Sequence, residues 1–99
     1  MKLYIAEPMT GIADYNYPMF KDAAKKLREA GYLVECPAEH DLPANTSWNG
    51  FVRHGITKML TCDAVAILPA WQRSKGATIE VGLAQRLGMR VEVVAEWLR

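Results

Sequence analysis

Short apolar runs alternate along this chain with longer segments in which apolar residues recur every three or four positions. The runs have the length of strands and end at proline, glycine or polar residues, which is typical of strands buried in a sheet. We therefore predict strands within residues 2–6, 32–36, 62–71 and 90–94.

Helical spacing of apolar residues predicts helices over residues 18–30, 48–60 and 77–87. Gly31 and Gly88 follow the first and third of these segments, at the position where a helix often ends in a left-handed residue. The stretch of residues 37–47 contains two prolines and other turn residues, and it predicts a long loop that could cover a site.

Strands that alternate with helices at this spacing imply right-handed βαβ units and a parallel sheet with helices on both faces. We predict one α/β domain over residues 1–99, a doubly wound, Rossmann-like or flavodoxin-like three-layer sandwich with a four- or five-stranded parallel sheet. A chain of 99 residues has room for a single core of this kind.

Composition narrows the classes of partner. Twelve basic and eleven acidic residues give a net charge of +1, so the overall charge offers no case for a nucleic-acid or membrane surface. No apolar run approaches the roughly 20 residues of a membrane span, and the first strand begins without the pattern of a signal peptide. We expect a cytoplasmic protein whose partner is a small molecule.

Two cysteines are present, Cys36 and Cys62. Both lie in apolar, strand-like surroundings, without the spacing of zinc ligands or of a redox pair. His40, in the predicted loop, has no second ligand at metal spacing. We therefore expect two buried free thiols and neither a metal nor another cofactor.

The most informative chemistry lies where the third predicted strand ends. A turn that begins at Ser74 leads into the third helix, and Glu80 follows about one helical turn later. In open α/β sheets, ligands bind beyond the carboxyl ends of the strands, which makes Glu80 the leading catalytic candidate. The chain has neither a GxGxxG fingerprint nor a P-loop, so the predicted site is of another kind. A glutamate early in a helix is also a common structural residue that interacts with the helix dipole.

The chain resembles a family of small, often phage-encoded proteins known as DUF4406. The resemblance rests on motifs spread over nearly the whole sequence: Tyr4-Ile5-Ala6, Pro8-Met9-Thr10-Gly11, Asn16-Tyr17-Pro18, Gly31-Tyr32, Pro37-Ala38-Glu39, Cys62-Asp63-Ala64-Val65 and Ser74-Lys75-Gly76-Ala77-Thr78-Ile79-Glu80. The last motif is the most specific. That family is similar in turn to nucleoside 2-deoxyribosyltransferases and nucleotide N-glycosidases, which cleave the bond between a base and a deoxyribose.

The resemblance implies a role for each residue around this turn. In the enzymes, the glutamate at the position of Glu80 attacks the anomeric carbon and forms a glycosyl-enzyme intermediate. Ser74 and the amides of Gly76 and Ala77 would hold a 5′-hydroxyl or 5′-phosphate. Tyr4 falls where the enzymes place a tyrosine near the nucleophile. The structural alternatives are that Ser74 is a plain helix cap and Tyr4 a core ring with a satisfied hydroxyl group.

Two positions depart from the pattern of the enzymes. The enzymes carry an aspartate where this chain has Gly55, so a general acid or base is missing and Gly55→Asp is expected to raise activity. The adjacent His54 is a candidate for that proton transfer, although a helical histidine is more often a surface residue. Glu7 replaces a usual glycine after the first strand, where a carboxylate either repels a phosphate or supplies the missing carboxylate.

Further ligand contacts are assigned to other residues near the ends of the strands. Met9 and Gly11 share a loop with Glu7, and Trp71 could stack on a base, although tryptophan in a small chain is usually core or interface. Asp63, directly before the third strand, could orient a ligand, although an aspartate there is more often a turn acceptor.

Two functions follow from the resemblance. The first is a nucleoside or nucleotide N-glycosidase or 2-deoxyribosyltransferase with Glu80 as the nucleophile. The second is a catalytically silent nucleotide-binding module on the same scaffold. We also expect a homodimer or homotetramer, because the C-terminal region would otherwise leave apolar residues exposed, namely Val93, Val94, Trp97 and Leu98.

Overall fold

The computed structural model, which describes residues 1–6, 17–39, 42–43 and 45–99, contains a four-stranded sheet. Its strands are β1 (Lys2–Ile5), β2 (Leu33–Glu35), β3 (Ala64–Ile67) and β4 (Arg90–Val93). Their order is β2-β1-β3-β4, and neighbouring strands are parallel throughout. The predicted α/β fold with a four-stranded parallel sheet is confirmed. The register places Tyr4 of β1 between Glu35 and Val65.

Helices cover both faces of this sheet. They are α1 (Tyr17–Glu29), α2 (Trp48–Met59), α3 (Lys75–Arg86) and the short α4 (Val94–Trp97). Among the described residues, none of the helices has the length and apolarity needed to cross a membrane.

Alternation along β1 divides the core into two layers. Leu3 and Ile5 point to one face, where they pack with α1 and with Trp97 of α4. Tyr4 and Ala6 point to the other face, where they pack with α2 and α3. We refer to these two faces as the α1–α4 layer and the α2–α3 layer.

Local signals in the sequence set the helix ends. Gly31 and Gly88 have φ angles of +103° and +74°, so the predicted left-handed residues after α1 and α3 are confirmed. Ser47 caps α2, since its hydroxyl oxygen accepts a hydrogen bond of 3.0 Å from the amide of Gly50.

The C-terminal segment differs from the prediction. It forms α4, and Trp97 is 5% exposed rather than part of an apolar surface. The indole nitrogen donates to the carbonyl oxygens of Val65 and Glu92, at 3.2 Å each, and the ring packs edge-on against Tyr32. Trp97 therefore closes the α1–α4 layer. The dimer or tetramer stays a prediction, now without Trp97 as its support.

The buried face of α2 contains only part of the apolar residues of this helix. Its buried residues are Val52, Gly55 and Met59, whereas Trp48 and Leu60 are 43% and 55% exposed. These two residues lie at the two ends of the helix, outside the central turns that pack on the sheet. Helical spacing alone does not show which turns of a helix are covered.

The two cysteines are free thiols, as predicted. Cys36 is buried, whereas Cys62 is only half-buried, so the expectation of burial is confirmed for Cys36 alone. Partial burial raises the pKa of the Cys62 thiol above its ordinary value. Cys62 is therefore held in its protonated, weakly reactive form at neutral pH.

Candidate active site

Tyr4 and Glu80 form a buried pair between the sheet and the α2–α3 layer. The hydroxyl group of Tyr4 donates a hydrogen bond of 2.6 Å to Oε2 of Glu80. Both residues are 0% exposed. A buried carboxyl group is costly unless its oxygens are hydrogen-bonded, and Tyr4 supplies one such bond. The ring of Tyr4 is at the same time part of the apolar core.

The start of α3 positions Glu80 against Tyr4. Ser74 is the N-cap residue and is 1% exposed, and its hydroxyl oxygen accepts from the amide of Ala77 at 3.1 Å. Glu80 comes six residues after this cap, in the second turn of the helix, and the first turn holds no acidic residue. Since the effect of the helix dipole fades within the first turn, it does not explain why a glutamate is placed here.

One of the predicted anion-binding donors takes part in the cap. The amide of Ala77 donates to Ser74, which is the capping role expected for Ser74, and ligand binding by this amide stays a prediction. Gly76 is buried, and a Cβ added there would lie 3.6 Å from Cγ2 of Val52, an ordinary contact. Packing inside the protein therefore does not require a glycine at position 76, which leaves close approach of a ligand as a reason for it.

Gly55 faces the buried pair from α2. A Cβ added at this position would lie 2.5 Å from the hydroxyl oxygen of Tyr4 and would also collide with Oε2 of Glu80. Real Cβ contacts are longer than this, so even an alanine would force the pair to move. The terminal oxygen atoms of Tyr4 and Glu80 fill the space beside Gly55, so an aspartate at this position would require both of these atoms to move.

Reasoning from the sequence missed this role of Gly55, although a signal was present. A glycine inside a helix costs about 1 kcal/mol relative to alanine, so its presence there indicates a close approach of other atoms. Here those atoms belong to the side chains of Tyr4 and Glu80.

Two other predicted residues, His54 and Trp71, lie on the same side of the sheet as the pair. His54 is half-buried on α2. Successive helical residues are rotated by about 100°, so its side chain leaves the helix in a different direction from the Cα hydrogens of Gly55. Trp71 is partly buried and packs against the same core cluster as Tyr4, which matches its structural alternative.

Asp63 lies at the opposite end of the sheet. It directly precedes β3, and its Oδ2 accepts a hydrogen bond of 2.7 Å from the amide of Lys2 at the start of β1. Glu80 instead belongs to the helix that follows β3. The carboxylate of Asp63 therefore ties together the amino ends of two strands, which matches the structural alternative, and its role in ligand binding stays a prediction.

Three of the predicted ligand contacts, Glu7, Met9 and Gly11, lie outside the described residues, as do Asn16 and His40. Within the described part of the chain, no group of three histidine, cysteine, aspartate or glutamate side chains is arranged to hold a metal ion.

Comparison with known families gives one match. A family described as a domain of unknown function, DUF4406, matches residues 1–93. The chain belongs to this family. The matched part of the DUF4406 protein includes the whole sheet, α1 to α3, and the residues Tyr4, Gly55, Ser74 and Glu80. A search of curated proteins found no match.

Proposed function

We propose that this DUF4406 protein is a nucleoside or nucleotide N-glycosidase, or a 2-deoxyribosyltransferase, with Glu80 as its nucleophile. The observation that carries the proposal is the 2.6 Å hydrogen bond between Tyr4 and Glu80. This bond fixes the orientation of a carboxyl group on the helix that follows β3. In open parallel sheets, ligands commonly bind beyond the carboxyl ends of the strands.

The chemistry requires a carboxylate held at one geometry. An oxygen of Glu80 would bond to C1′ of the deoxyribose as the bond from C1′ to the base nitrogen breaks, and the base leaves with that electron pair and takes up a proton. Water or a second base then attacks C1′, and the carboxylate of Glu80 leaves. Orienting the carboxyl group beforehand lowers the barrier for the first step.

Backbone strain in the preceding turn supports the same location. Ala70, between β3 and α3, has a φ of 66° and a ψ of 20°, in the left-handed region. This conformation costs a residue with a Cβ about 1–2 kcal/mol, and such strain concentrates at functional sites.

Full burial of Glu80 favours a second candidate function, a silent nucleotide-binding module. In that case the carboxyl group would only join α3 to β1, and bound nucleotide would never reach it. The N-glycosidase proposal requires the opposite, namely that ligand binding exposes Glu80 to the sugar. Trapping of a covalent intermediate distinguishes these two cases.

The proposal is tested with a panel of deoxynucleosides and their 5′-monophosphates. We expect chromatography to show release of free base from at least one compound. We expect a 2′-fluoro analogue of that compound to leave an adduct whose mass maps to the peptide containing Glu80. Binding without turnover or adduct would favour the silent module, and the absence of both binding and turnover would contradict both functions.

A matched pair of glycine substitutions tests the helix start. Gly76→Ala should raise stability by up to about 1 kcal/mol, because alanine favours helix and the added Cβ makes only ordinary contacts, at 3.6 Å to Val52 and 3.8 Å to Ser74. It should nevertheless weaken binding of a 5′-monophosphate by about tenfold, because the methyl group keeps the phosphate from the backbone. Calorimetric titration and thermal melting measure the two effects.

The second member of the pair, Gly82→Ala on the same helix, is the control, because a Cβ there would meet nothing within 4 Å. It should raise stability in the same way and leave nucleotide binding unchanged. Equal binding by both variants and the unmodified protein would show that the start of α3 does not hold the phosphate.

A further inference from the structure

Charges are segregated between the two layers of helices. The cationic residues of α2, the Trp71–Arg73 segment and α3 are Arg53, Lys58, Arg73, Lys75 and Arg86. In these same segments the carboxyl group present is that of Glu80, which is buried. The solvent side of the α2–α3 layer is therefore basic.

The α1–α4 layer has a different arrangement. There, Lys26 pairs with Asp22, Arg28 with Glu39 and Arg99 with Glu96, as close ion pairs. Within the described part of the chain, no ion pair forms between a carboxylate and a cation of the α2–α3 layer. The net charge of +1 averages over two unlike surfaces, so it does not exclude an anionic partner for one of them.

A groove of about 350 Å³ lies on this basic layer. It is lined by residues from the start of α2, the turn before α3 and the first two turns of α3: Trp48, Gln72, Arg73, Lys75, Thr78 and Ile79. Trp48 is 43% exposed, so a large aromatic ring borders the groove beside two cations and two uncharged polar side chains.

We propose that this surface binds single-stranded nucleic acid. An aromatic platform next to lysine and arginine is the arrangement that holds unstacked bases and their phosphates. The groove has room for one nucleotide, and positive charge continues beyond it. Lys75 and Arg86 lie eleven residues apart on α3, roughly 16 Å along the helix axis, which spans more than one nucleotide. The proposal rests on this outer surface and is independent of the chemistry proposed for Glu80.

The test uses the full chain and a fluorescein-labelled oligothymidylate of twelve nucleotides, followed by fluorescence anisotropy. At 50 mM salt we expect a dissociation constant on the order of 10 μM, within the range of sequence-independent binding. Raising the salt to 200 mM should weaken binding strongly, because the strand releases condensed counterions when it binds and a higher salt concentration opposes that release. Absence of binding at 50 mM salt with 100 μM protein, a concentration on the order of the weakest such affinities, would overturn the proposal.

Substitutions locate the strand. The double variant Arg73→Gln with Lys75→Gln should weaken binding about tenfold and reduce the slope of log affinity against log salt by about 1.4, or 0.7 for each lost phosphate contact. Trp48→Ala should weaken binding about fivefold or more through lost stacking. Arg73 and Lys75 are exposed, so the variants should melt like the unmodified protein. The two single substitutions give the same test if the double variant is unstable.

The matched control carries the same change of charge on the other layer. Lys21→Gln with Lys25→Gln alters two exposed lysines of α1 and should change the dissociation constant by less than about twofold. An equal loss in this control would overturn the proposal, because binding would then depend on net charge alone. Equal affinity for polyglutamate, or for vesicles containing phosphatidylserine, would overturn it in favour of an acidic protein or a membrane.

Discussion

Replacing Glu80 by glutamine should lower the rate of base release by about a hundredfold or more, because a neutral amide cannot form the ester intermediate. Glutamine has nearly the same shape as glutamate, and its side-chain oxygen can still accept the hydrogen bond from Tyr4, which is 2.6 Å long in the parent structure. We therefore expect Glu80→Gln to fold and to bind nucleotide much as before. The loss should fall on turnover rather than on binding.

The measurement is free base released per unit time from the best compound of the panel, together with binding by calorimetric titration. Glu29→Gln serves as the matched control, since it makes the same chemical change at an exposed position on α1 and should keep full activity. If Glu80→Gln releases base as fast as the unmodified protein, Glu80 is not the nucleophile. Purifying all variants identically shows whether any residual release comes from a contaminating enzyme.

Placing an alanine at position 55 should destabilise the protein by about 1–5 kcal/mol. Overpacking typically costs about 1–3 kcal/mol, and loss of the buried hydrogen bond between Tyr4 and Glu80 adds about 1–3 kcal/mol. The higher helix propensity of alanine returns about 1 kcal/mol. The reason lies in the geometry, since the new Cβ would sit 2.5 Å from the hydroxyl oxygen of Tyr4.

Urea denaturation of a double-mutant cycle measures this effect. In a background that carries both Tyr4→Phe and Glu80→Ala, the two oxygen atoms that meet the new Cβ are gone, so Gly55→Ala should cost little or should stabilise the protein. A similar cost in both backgrounds would contradict the steric explanation. Gly55→Asp should be more destabilising than Gly55→Ala and should not raise activity, which reverses the expectation drawn from the sequence.

The sequence by itself determined the features that depend on residues close together along the chain. Alternating apolar runs and helical segments predicted the parallel sheet, because burial of a strand or a helix face imposes its own period on nearby positions. Gly31 and Gly88 marked the ends of α1 and α3, because a left-handed backbone favours glycine whatever the rest of the fold does. The turn at Ser74 likewise marked the start of α3, and so placed Glu80 close to the start of a helix, because helix ends depend on nearby residues.

Only the tertiary structure decided how these elements meet. Tyr4 and Glu80 are 76 residues apart, and their contact depends on β1, α2 and α3 packing in one layer. That packing fills the space beside Gly55 with the terminal atoms of both side chains, whereas the sequence alone suggested only a missing aspartate. Tertiary packing also decides how the charges are segregated. Composition gives only the sum of the charges over the chain, whereas the fold places each helix, with its cations, on one side of the sheet.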